Sequence, residues 1–115
     1  MTNIENFINK VKQNPELIAF QETIDAIDSN YNFTPTSFKN GNQLNAAGEN
    51  NGSCKIFAFA KLQELSKEET LSLFGDFYFK DVLEHPNENN HQNIRNFMIF
   101  GWDGISFDSQ ALKIK

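Results

Sequence analysis

A chain of 115 residues is a single-domain length, and a 39% apolar share with twelve Phe excludes intrinsic disorder, despite a mean hydropathy of -0.51. A net charge of -5, with Arg95 the sole arginine and the lysines scattered, excludes the clustered cations that generic nucleic-acid binding needs. One cysteine, Cys54, excludes an intrachain disulfide, and no run approaches the roughly 18 apolar residues of a membrane span.

In chain order, Thr2-Asn3-Ile4-Glu5 has capping-box spacing, and Ile4, Phe7, Ile8 and Val11 recur on one helical face. Asn14 as N-cap and Pro15 at the first helical position then predict a second helix to about Ser29, with Leu17, Phe20, Ile24 and Ile27 as its stripe. Residues 31–38 have strand-like composition, but Pro35 cannot donate to a ladder, so an edge strand or extended loop is expected. Asn40-Gly41 marks a turn. Polar and small residues continue through Gly52, longer than a simple connection and therefore a functional-loop candidate.

Ser53 can cap a third helix, running from Cys54 to about Leu65, whose Ile56, Phe57, Ala58, Phe59, Ala60 and Leu62 are apolar nearly all round; such a helix is central. Ser66-Lys67-Glu68-Glu69 is a second capping box, opening a helix that Gly75-Asp76 breaks before a second piece over residues 77–83. Residues 84–90 read as a polar loop, and residues 91–98 as a helix stopped by Gly101. Trp102-Asp103-Gly104 is a turn, and residues 105–107 and 111–114 alternate as a hairpin across Asp108-Ser109-Gln110. The expected fold is α+β in one domain over 1–115: mostly helical, five or six helices, with a small antiparallel sheet or hairpin.

Four groups of residues carry candidate chemistry. Cys54 with His85 or His91 would make a thiolate–imidazole pair, favoured by a helix start, although a free Cys leading into an apolar helix is more simply a small buried hydrophobe. His85 and His91 beside Asp81, Glu84 and Glu88 lack the one-face spacing of a metal site, because Pro86 intervenes. Residues 48–55 resemble a phosphate loop but carry Ser-Cys-Lys where Lys-Ser/Thr is required. What survives is a helix start near Gly52 and Ser53, with Lys55 alongside, that can hold an anion, opposed by Glu49. Trp102 and Arg95 form an interaction patch if exposed, whereas a buried Trp102 is a core plug. No nucleophile elbow or dinucleotide fingerprint is present.

Three ordered blocks stand out: residues 33–41, residues 45–60 with Asn45-Ala46-Ala47-Gly48 and Gly52-Ser53-Cys54-Lys55, and residues 91–98. With the closing Gly101-Trp102-Asp103-Gly104-Ile105-Ser106-Phe107, the chain resembles the HopJ type III effector family from about Phe20 to Leu112. The resemblance implies a bacterial protein of about this size, with no agreed catalytic residues to transfer. It implies a cytoplasmic protein or one secreted through a type III apparatus. The capped, Ser-free pattern of residues 1–11 is unlike the flexible Ser-rich start of such an export signal.

The expectation is a non-enzymatic binding or interaction domain using Asn45, Asn50, Ser53, Cys54, Lys55, His91, Arg95 and Trp102. Its partner would be a protein or small molecule, with no cofactor, nucleic acid or membrane. The alternative is a small enzyme or ligand-binding protein built on Cys54, with His91 or Glu49 as proton carrier.

Overall fold

The helix expected to be central is central. In the computed structural model, which describes residues 4–115, α3 (Asn51–Leu62) has Ile56, Phe57, Phe59 and Ala60 at 0% exposure. Phe57 and Phe59, two positions apart, project to opposite sides of the helix. The Phe57 ring meets Phe38, Phe74 and Phe97, at 6.2, 5.5 and 4.9 Å between centroids. Phe59 meets Phe7 at 6.1 Å and Tyr31 at 5.9 Å. Full burial of each such ring stabilises the fold by about 1.5–3 kcal/mol, so α3 is where most of the chain is gathered.

Around it lie α1 (Ile4–Gln13), α2 (Phe20–Asn30), α4 (Lys67–Ser72), a π-helical segment (Phe77–Val82) and α5 (Gln92–Phe100). The Ser66 capping box forms as predicted: Glu69 N–H donates to Ser66 Oγ at 3.1 Å and Ser66 N–H to Glu69 Oε1 at 2.9 Å. The Thr2–Glu5 box falls partly outside the described residues. Gly75, at φ +60, breaks the chain after α4, because a Cβ there would sit 2.6 Å from the backbone nitrogen of Phe20.

That close approach also corrects the second helix. Asn14-Pro15 opens only a 3-10 turn (Pro15–Leu17); Ile18 is extended and buried, and α2 begins at Phe20. Leu17 is accordingly 63% exposed rather than part of the buried stripe.

The strands are β1 (Tyr31–Phe33), β2 (Phe38–Asn40), β3 (Gln43–Asn45), β4 (Ile105–Phe107) and β5 (Leu112–Ile114). They form a two-stranded sheet β1-β5 and a three-stranded sheet β3-β2-β4, antiparallel throughout. The expected hairpin of β4 with β5 therefore does not form. Each instead pairs with a strand far back in the chain, and the register is the same in both sheets: Tyr31 faces Ile114 and Asn40 faces Ile105. The two pairings are one antiparallel ribbon interrupted at Pro35, which has no N–H to give. Thr34 N–H to Ala111 O (2.8 Å) and Asp108 N–H to Ser37 O (3.0 Å) bracket the gap.

The long polar loop also resolves into structure. Residues 40–45 complete the β2–β3 hairpin through the Gly41-Asn42 turn, and α3 starts at Asn51, leaving only residues 46–50 as connection. Asn50 is the N-cap and Ser53 the third helical residue, so Ser53 does not cap α3.

Candidate binding cleft

Two helices begin at one cleft. Asn50 precedes α3 at φ 52, ψ 48, and His91 precedes α5 at φ 51, ψ 49; both are left-handed, and neither side chain caps its helix. Each side chain is turned elsewhere. Asn50 Nδ2 donates to Asn45 Oδ1 at 2.7 Å, and His91 Nε2 lies 3.1 Å from Asp81 Oδ2. The first intrahelical bonds are Cys54 N–H to Asn50 O and Arg95 N–H to His91 O. The N–H groups of residues 51–53 and 92–94 thus precede the helical ladders, at the positive end of each helix.

The cleft holds about 410 Å³, within the size range of small-molecule sites. Phe20, Phe74, Phe77 and Ile94 form its apolar wall; Gln43, Asn50, Gly52, Ser53, His91, Gln92 and Asn93 supply its polar lining. No Asp, Glu, Lys or Arg lines it, which is notable in a chain of net charge -5. Phe20 and Phe77 meet edge to face at 4.9 Å, and the His91 ring lies 5.2 Å from Phe77. Phe77 remains 39% exposed at the rim. Gly52 permits the Phe20 ring to close on α3, since a Cβ there would sit 3.1 Å from Phe20 Cζ.

Behind the polar lining is a buried carboxamide network. Asn93 Nδ2 donates to Asn45 Oδ1 at 3.0 Å, and Asn45 Nδ2 returns a bond to Asn93 Oδ1 at 3.2 Å. Asn40 Nδ2 donates to the Asn93 carbonyl (2.7 Å) and to Asn93 Oδ1 (3.0 Å), while Asn96 Nδ2 donates to the Asn40 carbonyl at 3.1 Å. The network fastens the β2–β3 hairpin to α5 and so fixes the two helix starts relative to each other. Asn40 Oδ1 is buried without a hydrogen-bond partner among the described residues.

Of the residues expected from sequence, Asn50, Ser53 and His91 line this cleft, and Asn45 supports it from behind. The other four lie elsewhere. Cys54 is 1% exposed, its thiol donating to the Thr36 carbonyl at 3.9 Å; burial pushes the thiol pKa up, with the Thr36 bond opposing. That environment is opposite to an activated thiolate. Lys55 pairs with Asp28 at 2.9 Å and covers the Phe33 ring at 5.1 Å. Arg95 is occupied by backbone carbonyls of His85 (3.0 Å), Pro86 (3.2 Å) and Asn90 (2.6 Å), which lashes the 84–90 loop to α5. Trp102 donates Nε1–H to the Leu65 carbonyl at 2.9 Å and stands edge-on to Phe97, so it packs half-buried against the side of the core. His85 is exposed, and among the described residues no cluster of three His, Cys, Asp or Glu side chains is spaced to hold a metal. No helix among those residues is long and apolar enough to cross a membrane.

Sequence reasoning missed Phe20, Phe77, Gln92 and Asn93. One signal was available for Asn93: with Asn96 and Phe97 it falls on a single face of α5, and carboxamides on a buried helical face must find partners.

A family model described as HopJ type III effector protein matches residues 4–112. The crystal structure of VPA0580, a protein of unknown function, is similar to this chain with a TM-score of 0.98 and 54% sequence identity, over 99% of this chain and 95% of that one. No curated protein matches.

Proposed function

We propose, from the premise that the chain belongs to the HopJ type III effector protein family, that it is a binding domain for a small organic anion with an apolar or aromatic body. The observation that carries this reading is the convergence of two uncapped helix starts on one aromatic-walled cleft free of carboxylates. The acidic group of the ligand would meet the N–H groups at the starts of α3 and α5, with Ser53 as a side-chain donor, while His91 and Gln92 are held at the rim by Asp81 and the Asn89 carbonyl. The body would lie against Phe20, Phe77 and Ile94, covering the exposed rim of Phe77. The buried thiol of Cys54 gives no support to a nucleophilic enzyme.

Phenylacetate and its neutral relative 2-phenylethanol test the reading by amide chemical-shift titration. Each helix start favours an anion by about 0.3–1 kcal/mol, so phenylacetate is expected to bind roughly 3- to 30-fold more tightly. The largest shifts are expected at Gly52, Ser53, Gln92 and Asn93. Equal affinity for the two probes, or shifts centred away from these amides, overturns it.

The family name raises type III secretion. In this chain α1 supplies Phe7 and Val11 to the core, which favours a bacterial cytoplasmic setting. A reporter fused behind residues 1–30 is expected to stay inside a bacterium with an active type III apparatus, and its export would reverse this view.

A further inference from the structure

The chain contains two Asn-Gly pairs, Asn40-Gly41 and Asn51-Gly52, in opposite chemical situations. A carboxamide followed by Gly is open to attack by the next backbone nitrogen, because no Cβ shields that nitrogen. At Asn40 the route is closed. The side chain is 0% exposed and its amide nitrogen is held by two Asn93 oxygens, while Gly41 N–H donates to Gly104 O at 2.9 Å. Asn51 is exposed, and its side chain makes no hydrogen bond among the described residues. Gly52 is the second residue of α3, so its N–H lies ahead of the helical ladder and loses no intrahelical bond on reacting. The positive end of the helix also favours the negative charge that develops as that nitrogen loses its proton. The Phe20 ring packs closely on Gly52, so a larger residue there would require the ring that forms the cleft wall to shift.

We propose that Asn51 is a site of spontaneous deamidation that turns the neutral start of α3 acidic at the edge of the cleft. The Gly52 nitrogen bonds to Asn51 Cγ and gives up its proton. The Cγ–Nδ2 bond breaks, and the nitrogen leaves as ammonia. Water then opens the resulting cyclic imide at either carbonyl, giving aspartate or isoaspartate. One water is consumed and one ammonia released, with no oxidant or reductant. Either product places a carboxylate in the first turn of α3, where the positive helix end favours it; aspartate keeps the backbone of that turn, and isoaspartate lengthens it by one methylene. Residue 51 does not itself line the cleft, but its chain neighbours Asn50 and Gly52 both do, so the new charge acts on the cleft from the adjoining surface of the helix start. Resting on the anion-binding reading above, the conversion lowers ligand affinity as the protein ages.

The test is peptide mapping by mass spectrometry of the intact folded protein after timed incubation in mildly alkaline buffer. The expected conversion is about tenfold or more faster at Asn51 than at Asn40, each tenfold corresponding to about 1.4 kcal/mol of opening cost. It is also expected to exceed conversion at Asn87, which is exposed but followed by Glu88. Asn51→Gln should abolish the fast phase, since the longer side chain forms the cyclic imide poorly. Conversion at Asn51 no faster than at Asn40 or Asn87 overturns the proposal. Asn51→Asp separates the two readings: fast deamidation together with unchanged phenylacetate affinity in this variant supports the site and sinks the anion reading instead.

Discussion

Replacing Asn93 by Ala tests whether the carboxamide network holds the cleft together. The side chain accepts from Asn40 and Asn45 and donates to Asn45 Oδ1. Asn40 Nδ2 keeps the Asn93 backbone carbonyl at 2.7 Å, and Asn45 Oδ1 keeps the donor of Asn50. Asn45 Nδ2 is left with only the Phe38 carbonyl at 3.5 Å, beyond good hydrogen-bond length. The loss is therefore one orphaned buried donor, at about 1–3 kcal/mol, plus the small cavity left by the carboxamide. A total of about 2–4 kcal/mol is a large part of the roughly 5–15 kcal/mol that stabilises an ordinary domain. Urea unfolding followed by circular dichroism measures it, with Asn45→Ala and the double variant completing a cycle. The double variant should fall short of the sum of the singles by about 1–2 kcal/mol, because each single change strands the other partner. A loss under about 0.5 kcal/mol for Asn93→Ala, or strict additivity, would refute the reasoning.

Ser53→Asp has effects of opposite sign: a carboxylate in the first turn of α3 stabilises the fold by about 0.3–1 kcal/mol, while phenylacetate affinity falls. Thermal melting and calorimetric titration read the two, and unchanged affinity counts against an anion at this end of the cleft. Cys54 should resist small alkylating reagents in the native state and react on unfolding. Its raised folded pKa means the native state holds the proton longer, so stability is expected to fall as pH rises above about 8.5, the ordinary thiol value. Cys54→Ala should flatten that slope, which urea midpoints across the pH range would show. Glu69 has its pKa lowered chiefly by the Ser66 backbone N–H, so its contribution is present above about pH 4.3 and lost as pH falls through its folded value. Ser66→Ala should cost about 1 kcal/mol at neutral pH, again by urea unfolding.

What sequence made legible here was local. The Ser66–Glu69 box and the Gly75 break rest on residues within a turn or two of one another and form where their patterns stand; α3 is central as its apolar pattern requires, but runs Asn51–Leu62, about three residues earlier at each end than expected. The start of α2 was hidden because Ile18 and Ala19 run extended in close backbone contact with Gly75, a residue from another part of the chain. The β4–β5 hairpin looked right because nearby strands usually pair, yet the true partners lie in β2 and β1. Strand β3 was read as loop because Gln43-Leu44-Asn45 has no apolar face, and carboxamides rather than burial hold it in place. In the cleft, helix-start logic found Ser53, the polar loop supplied Asn50, and His91 was singled out as a partner for Cys54. Phe20 was absorbed into the apolar stripe of the second helix, and Phe77 stood only as the first residue of the helical piece after Gly75-Asp76.

The ribbon interrupted at Pro35 bears on how the molecule is made. Its innermost rung as well as its outermost joins residues from opposite halves of the chain, Asn40 with Ile105 and Tyr31 with Ile114. Helices α1 to α4 can form and collapse onto α3 during synthesis, but neither sheet can close until the last strands have left the ribosome. Such long-range pairings come late and slowly, because the loop must be closed before the contacts stabilise it. During that interval β1 and β2 present unpaired edges in a chain whose core is largely assembled. The same Pro35 that splits the finished ribbon also denies a neighbouring nascent chain one continuous edge on which to grow.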